Sequence, residues 1–224
     1  MSWAVKLCET YDNCLDKVGI ADNNHRILLP IGYTTVSAHI ECTLFHDGSI
    51  QAKLIQKADA KTMIPSTIDS SCRSGKDANK VPHPLFDKLY FMAKNLAQYS
   101  DEKKLYDSHA IYMQQLQAWI QSAQGKPGTL LLETLYTYLD KGTLLHDLVE
   151  QDILIVDENG RLSKKRMIDT DSIDIFNLVT EQSSAVLRFI VEDEDEHFHK
   201  LWMEADLIKS FSAYYEPMIE KKGL

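Results

Sequence analysis

Cysteine is scarce in this chain, four in 224 residues. None of Cys8, Cys14, Cys42 and Cys72 falls in a C-x-x-C pair or beside paired histidines, which argues against a zinc site. In a reducing compartment they are simplest as free thiols, with Cys8 and Cys42 as core fillers. No apolar run approaches the ~20 residues needed to cross a bilayer. Met1-Ser2-Trp3 leads directly to Lys6, Glu9 and Asp12, so no secretory segment is expected and a cytoplasmic location is. Three catalytic signatures are also missing: G-x-S-x-G, G-x-x-x-x-G-K-[ST] and G-x-G-x-x-G. Ser74-Gly75-Lys76 has the tail of a phosphate loop but lacks its upstream glycine. Neither an internal repeat nor a low-complexity tract is present.

What is there suits an ordinary soluble domain. Hydrophobic residues make up 44% and charged residues 25%, with a mean hydropathy of -0.27. That is enough to bury one substantial core. The net charge of -9 sets an overall field that repels phosphates. Its distribution is uneven. Residues 51–95 carry eight Lys and Arg against four Asp, a local +4, so the remainder carries -13. A basic island on an acidic body can contact nucleic acid in one place and be repelled elsewhere. The same lysines could equally decorate a hairpin edge and a solvated helix face.

Periodicity gives a coarse order of elements. Trp3, Leu7, Tyr11, Leu15 and Val18 form one face of a helix ended by Gly19, and Asp22 to His25 is a turn. Thr34 to Phe45 reads as a strand, Asp47-Gly48 as a hairpin turn, and Ile50 to Gln56 as the return strand. Pro84 suits the first turn of a helix carrying Leu85, Leu89, Met92, Leu96 and Tyr99. A second helix is expected over Lys103–Ala123, and a third opens at Thr129 and closes at Lys141-Gly142. Ile153–Val156 and Ala185–Val191 read as strands. The region from about His197 to Ile219 reads as helix, kinked or broken before Pro217. The expected fold class is α+β: an antiparallel hairpin-based sheet with several packed helices.

The stretch richest in recognition chemistry is Ser66 to Lys80, between a strand and a helix. Its hydroxyls, Asn79 and Gly75 permit close approach to groove edges, and Arg73, Lys76 and Lys80 supply attraction for phosphates. Lys53 and Lys57 project from the adjoining strand and extend the same surface. Other charged groups have plainer readings. Glu192 to Glu196, with His197 and His199, could hold Mg²⁺ or Mn²⁺ in a nuclease, but consecutive acids on a turn point apart. A solvated loop opening the next helix is the simpler reading. Lys164-Lys165-Arg166 is short enough to be a surface turn. Trp119, Trp202, Tyr214 and Tyr215 sit at core spacing. His25, His39 and His46 lack a local nucleophile and orienting acid.

Several ordered blocks together are more specific than any of these motifs. They are Ser2-Trp3, Leu7 to Cys14, Leu29 to Thr35, Ala38 to Glu41, Ile64 to Ser66, Ser70 to Gly75, and Pro82 to Leu89, then Leu187 to Val191 and Trp202 with Tyr214-Tyr215. In this order they resemble the large subunit of the type I-C CRISPR Cascade complex. The resemblance implies a non-enzymatic subunit without a cofactor or metal, serving antiviral defence. Such a subunit recognises the protospacer-adjacent motif on double-stranded target DNA and supports R-loop formation. The guide RNA held with the other Cascade subunits reads the remaining sequence by pairing, and a separate helicase-nuclease is recruited. Residues 1–224 would then be the N-terminal DNA-recognition domain of a longer subunit whose C-terminal helical region is absent, with no role for a membrane. Under this reading Arg73, Lys76 and Lys80 hold phosphates or groove edges, Ser70, Ser71, Ser74 and Asn79 supply short hydrogen bonds, Gly75 allows close approach, and Lys53 and Lys57 steer the flanking duplex. The alternatives are a metal-dependent nuclease at 192–199 and a protein-interaction scaffold.

Overall fold

Asp47-Gly48 turns the chain as its residue types dictate. Gly48 has φ +83°, Phe45 N–H donates to Ser49 O at 3.0 Å, and Asp47 Oδ1 accepts from Ser49 N–H at 2.8 Å. The computed structural model describes residues 28–166 and 173–221, with Lys6, Thr10, Asn13, Cys14, Lys17 and Val18 before them. The helix expected over Trp3–Val18, Cys8, and the Asp22 to His25 turn therefore lie outside the described residues or nearly so.

The strands are β1 (Tyr33–Ser37), β2 (Ile40–Leu44), β3 (Ile50–Leu54), β4 (Lys61–Pro65), β5 (Leu187–Glu192) and β6 (Phe198–Lys200). The helices are α1 (Ile68–Ser71), α2 (Leu89–Met92), α3 (Leu96–Tyr99), α4 (Ser108–Ala123), α5 (Thr129–Lys141), α6 (Leu144–Glu150) and α7 (Ala205–Lys221). Short 3₁₀ turns join them, among them Gly75–Lys80.

The α+β class is as expected, and two hairpins build the main sheet. Its order is β3-β2-β5-β6. β2 and β3 pair antiparallel from Ile40↔Leu54 to Leu44↔Ile50, and β5 and β6 pair antiparallel around Val191↔His199. The hairpins join through a parallel pair, Ile40↔Leu187 to Leu44↔Val191. A parallel pair needs a long crossover, and here the crossover carries α1 to α6. β1 and β4 form a separate antiparallel ribbon, Tyr33↔Pro65 to Ser37↔Lys61.

One face of the sheet is apolar. Ile40, Cys42 and Leu44 alternate inward on β2, as do Leu187, Phe189 and Val191 on β5. Against them pack α2, buried at all four positions, and the stripes of α4 (Tyr112, Leu116, Trp119), α5 (Leu132, Leu135, Leu139) and α7 (Leu207, Phe211, Tyr215). Phe211 is a hub, with ring centroids 5.2 Å from Trp119, 5.5 Å from Tyr215 and 5.6 Å from Tyr33. Two of the large aromatics in this core pair their polar atoms: Trp119 Nε1 donates to Ser210 Oγ at 3.0 Å, and Tyr112 Oη to Leu85 O at 2.7 Å.

Several expected elements differ, each for a local reason. The strand predicted over Thr34–Phe45 breaks at Ala38-His39, because Ala38 N–H bonds Ala60 O and His39 N–H bonds Val186 O, sending each half to a different sheet. The helix predicted from Pro84 is reduced to α2 and α3. The backbone around 87–89 is used laterally instead: Leu89 N–H donates to Ala185 O and Leu187 N–H to Asp87 O. Ile153–Val156 makes only a bridge, Val156↔Leu162, around the Asp157–Gly160 turn. Phe198–Lys200 is a strand where helix was predicted. α7 continues through Pro217, whose missing N–H faces the exposed Ala213 turn, where water can serve the freed carbonyl. α6 has no counterpart among the elements expected from periodicity. α5 closes as predicted at Gly142, whose φ of +76° is the left-handed cap that glycine adopts readily.

Candidate nucleic-acid interface

The Ser66–Lys80 segment follows β4 and opens with a capping box. Thr67 Oγ1 accepts from Ser70 N–H at 3.1 Å, and Ser70 Oγ accepts from Thr67 N–H at 2.9 Å. Ser70 is consequently buried. Ser71 is exposed and donates back to Ile68 O at 2.9 Å. From α7, Tyr215 Oη accepts Ile68 N–H at 2.6 Å and ties the segment to the helical layer.

Arg73 turns inward. Its guanidinium forks onto Asp87, with Nη2 to Oδ1 at 2.9 Å and Nη1 to Oδ2, while Nη1 also donates to Val81 O at 2.8 Å. The cation lies 5.5 Å from the Phe91 ring centroid. Asp87 is 1% exposed, and it also accepts from the backbone N–H groups of His83 at 2.6 Å and Lys88 at 2.7 Å. Burial pushes neighbouring His83 down to about 4, so it is neutral near pH 7. Asn79 is held from two sides: its Nδ2 donates to Lys104 O, and its carbonyl accepts from Ser108 Oγ at 2.8 Å. Between these anchors runs the 3₁₀ turn Gly75–Lys80, led by exposed Ser74 and ended by exposed Lys80.

Lys53 and Lys57 sit away from this loop. Lys61 and Pro65 are the two ends of β4, ~13 Å apart at ~3.3 Å per residue. The loop follows Pro65, whereas Lys53 lines the same groove as Lys61, and exposed Lys57 is in the turn between β3 and β4. The sequence-predicted residues thus occupy two surfaces joined by one strand.

The second surface is a groove of about 960 Å³ on the polar face of the main sheet. Its floor is a buried ion pair: Glu41 Oε2 accepts from Arg188 Nε at 2.9 Å and Nη2 at 2.6 Å. Arg188 Nη1 donates to Thr62 Oγ1 at 3.1 Å and Asp59 O at 2.9 Å, and the guanidinium stacks 4.3 Å from the Trp202 ring centroid. Glu41 Oε1 meets Lys53 Nζ at 2.8 Å. Burial opposes the Glu41 charge, yet the hydrogen bonds from Lys53 and Arg188 outweigh it and hold the carboxyl below its ordinary range. Lys61 and Lys200 complete the rim. Lys200 escapes a sequence reading because β6 is far from Lys53 in the chain. Only the sheet register, with Ile190↔Lys200 beside the β2–β5 pair, brings them together.

The other charged constellations are tied up internally. Glu192 to His199 forms the β5–β6 turn rather than the start of a helix. There Asp193 Oδ1 accepts from Asp195 and His197 N–H, and Oδ2 lies 2.9 Å from His199 Nε2. His199 Nδ1 is 3.2 Å from Glu204, and His46 Nδ1 is 2.8 Å from Glu192. Among the described residues no group of three or more His, Cys, Asp and Glu is placed to hold a metal ion. Arg166 Nη2 donates to Asp174 at 2.9 Å and Asn177 at 2.6 Å. No helix of the described residues is long and apolar enough to cross a membrane.

With this geometry in hand, a comparison with family models is decisive. The model described as CRISPR-associated protein (Cas_Csd1) matches residues 7–223. The chain belongs to the Cas_Csd1 family. No curated protein matches it. Nearly the whole chain falls within the Cas_Csd1 match, so the 66–80 segment, the groove and the helical layer all lie inside it.

Proposed function

We propose that this Cas_Csd1 chain is the N-terminal part of the large subunit of a type I-C Cascade complex. It acts without catalysis, binds double-stranded target DNA, reads the protospacer-adjacent motif and supports R-loop formation. Guide RNA in neighbouring subunits supplies the remaining sequence selectivity, and a helicase-nuclease is recruited to the complex. The observation that carries this reading is the anchoring of the 74–80 loop. Arg73 on Asp87 fixes its start and Asn79 between Lys104 and Ser108 fixes its end. A loop already held in place loses little entropy when it meets a duplex.

In this arrangement Ser71 and Ser74 offer hydroxyls to base edges or sugars, Gly75 lets the backbone come close, and Lys76 and Lys80 attract phosphates. Arg73, Asn79 and Ser70 hold the loop's shape. The test is the assembled complex bound to duplexes that differ only in the base pairs beside the protospacer. Ser71→Ala with Ser74→Ala should erode discrimination by about 1–3 kcal/mol per lost base contact. Lys76→Ala and Lys80→Ala should weaken all duplexes alike and lower the salt slope by about 0.9 per phosphate lost. Unchanged binding by all four variants overturns the assignment.

A further inference from the structure

The two edges of the main sheet are finished differently. On β3 the outward backbone groups are taken up: Gln151 Oε1 accepts from Ala52 N–H at 2.8 Å, and Gln151 Nε2 donates to Ile50 O at 3.2 Å. A side-chain amide stands where a further strand would pair, so this edge is closed. β6 has no such cover. Leu201 N–H bonds Phe189 O and Asp193 N–H bonds His197 O, so Val191↔His199 is the bonded pair between them in the alternation of an antiparallel ladder. Phe198 and Lys200 therefore turn their backbone groups away from β5. Lys200 O accepts from Met203 N–H at 2.8 Å. That leaves the N–H and C=O of Phe198 and the N–H of Lys200 without a partner among the described residues.

The side chains at this edge suit its open backbone. Phe198 is the one aromatic ring more than a third exposed among the described residues, at 56%. Phe45 meets it edge-on with centroids 6.2 Å apart and fixes where the ring stands. A strand laid along β6 would bring one side chain directly opposite Phe198, about 5 Å away, and cover it. Before Phe198, Glu194, Asp195 and Glu196 are exposed and form no ion pair among the described residues. After it comes exposed Lys200. The edge is thus acidic at one end, apolar in the middle and cationic at the other, which sets the order of charges that a strand must bring.

We propose that β6 takes up an extended segment of a partner protein as a fifth strand of the main sheet. The segment carries an acid opposite Lys200, an apolar residue opposite Phe198 and basic residues over the 194–196 turn. It runs antiparallel to β6, the direction that pairs more stably. Its apolar residue exchanges two backbone bonds with Phe198, and its acid's carbonyl accepts the N–H of Lys200. This surface is separate from the 66–80 segment and stands whether or not that segment reads duplex DNA.

The experiment is fluorescence anisotropy of the full chain with a labelled, end-blocked peptide, Ser-Glu-Thr-Val-Thr-Lys-Lys-Gly. The parent should bind it with a Kd of about 10–100 μM. N-methylation of the valine deletes the donor to Phe198 O and should weaken binding about tenfold. Lys200→Pro removes one outward N–H at an edge position where the β5 bonds do not need it, and should weaken binding by about tenfold while the melting temperature holds. Lys200→Gln keeps that N–H and should stay within about threefold of the parent. Glu194→Gln with Glu196→Gln should weaken binding about fivefold at low salt and flatten its salt dependence. Should Lys200→Pro fail to fold, the methylated peptide on the parent decides alone. The proposal is overturned if the parent does not bind at about 500 μM, or if the methylated peptide binds as tightly as the unmodified one. It is also overturned if sedimentation shows a dimer of the chain that Lys200→Pro abolishes, since a second copy would then occupy the edge.

Discussion

Arg73 and Asp87 form a fork-to-fork pair across 14 residues, and Asp87 spends every remaining acceptor position on backbone N–H groups. The pair closes residues 73–87 into a loop whose base is inside the protein. Removing one partner strands a buried charge, which costs about 3–5 kcal/mol. Arg73→Ala and Asp87→Asn should therefore lower the urea midpoint by similar amounts. Matching losses identify the pair as structural. An Arg73→Ala variant as stable as the parent would show that the cation is not needed inside.

Much of this fold was legible because neighbouring residues decide it. Asp47-Gly48, the α4 stripe and the Lys141-Gly142 stop all report local geometry, and each is where its residue types predict. The misses are all tertiary. Nothing local to Pro84–Tyr99 announces that its backbone will bond to Ala185 and Leu187, about a hundred residues on. The site divides in the same way. That the 66–80 segment is polar and cationic can be read directly, but that Arg73 faces Asp87 and Lys53 faces Glu41 depends on burial and register. Lys200 carries no local signal, because only the pairing of β6 with β5 brings it to the groove.

Glu41 and Arg188 sit 6% and 9% exposed as the floor of the groove. Glu41→Gln leaves Arg188 with a buried charge and without its carboxylate, and should cost about 3–5 kcal/mol. Replacing both, as Glu41→Leu with Arg188→Met, should recover most of that loss. Chemical denaturation of the two singles and the double gives the coupling directly. Additive losses would mean that the two residues act independently.

His199 bridges Asp193 and Glu204, and chiefly the hydrogen bond to Asp193 raises its pKa above the ordinary histidine value. A raised folded pKa favours the protonated folded state. The contribution is therefore fully present below the unfolded value near 6.5 and fades as pH rises through the folded value. Asp193 is pulled down to about 2 by the His199 hydrogen bond first and the His197 backbone second. Its contribution is present above the unfolded value near 3.8 and is lost as pH falls toward 2. Melting temperature should hence decline on both sides of a plateau between roughly pH 4 and 6.5. His199→Gln should flatten the alkaline side and shrink the acid side. A variant whose profile matches the parent above pH 6 would remove His199 from the account.

Tyr215 connects the 66–80 segment to the core through one hydroxyl, which accepts Ile68 N–H at 2.6 Å while the ring stacks on Phe211. Tyr215→Phe keeps the stacking and leaves a partly buried N–H without its acceptor, a loss of about 1–3 kcal/mol. The lost bond lies at the entry to α1, so the first effect should be local: faster amide exchange over residues 67–72, with protection in the α4 and α5 cores retained. If the loop reads duplex DNA, affinity should fall for every sequence while the salt slope stays at the parent's value. That outcome separates loosened geometry from a lost phosphate contact, because only the latter changes the number of counterions released. A slope lowered by about 0.9 in Tyr215→Phe would mean that the segment had shifted a lysine off the DNA, and that α7 fixes where the cations lie as well as how firmly the loop is held.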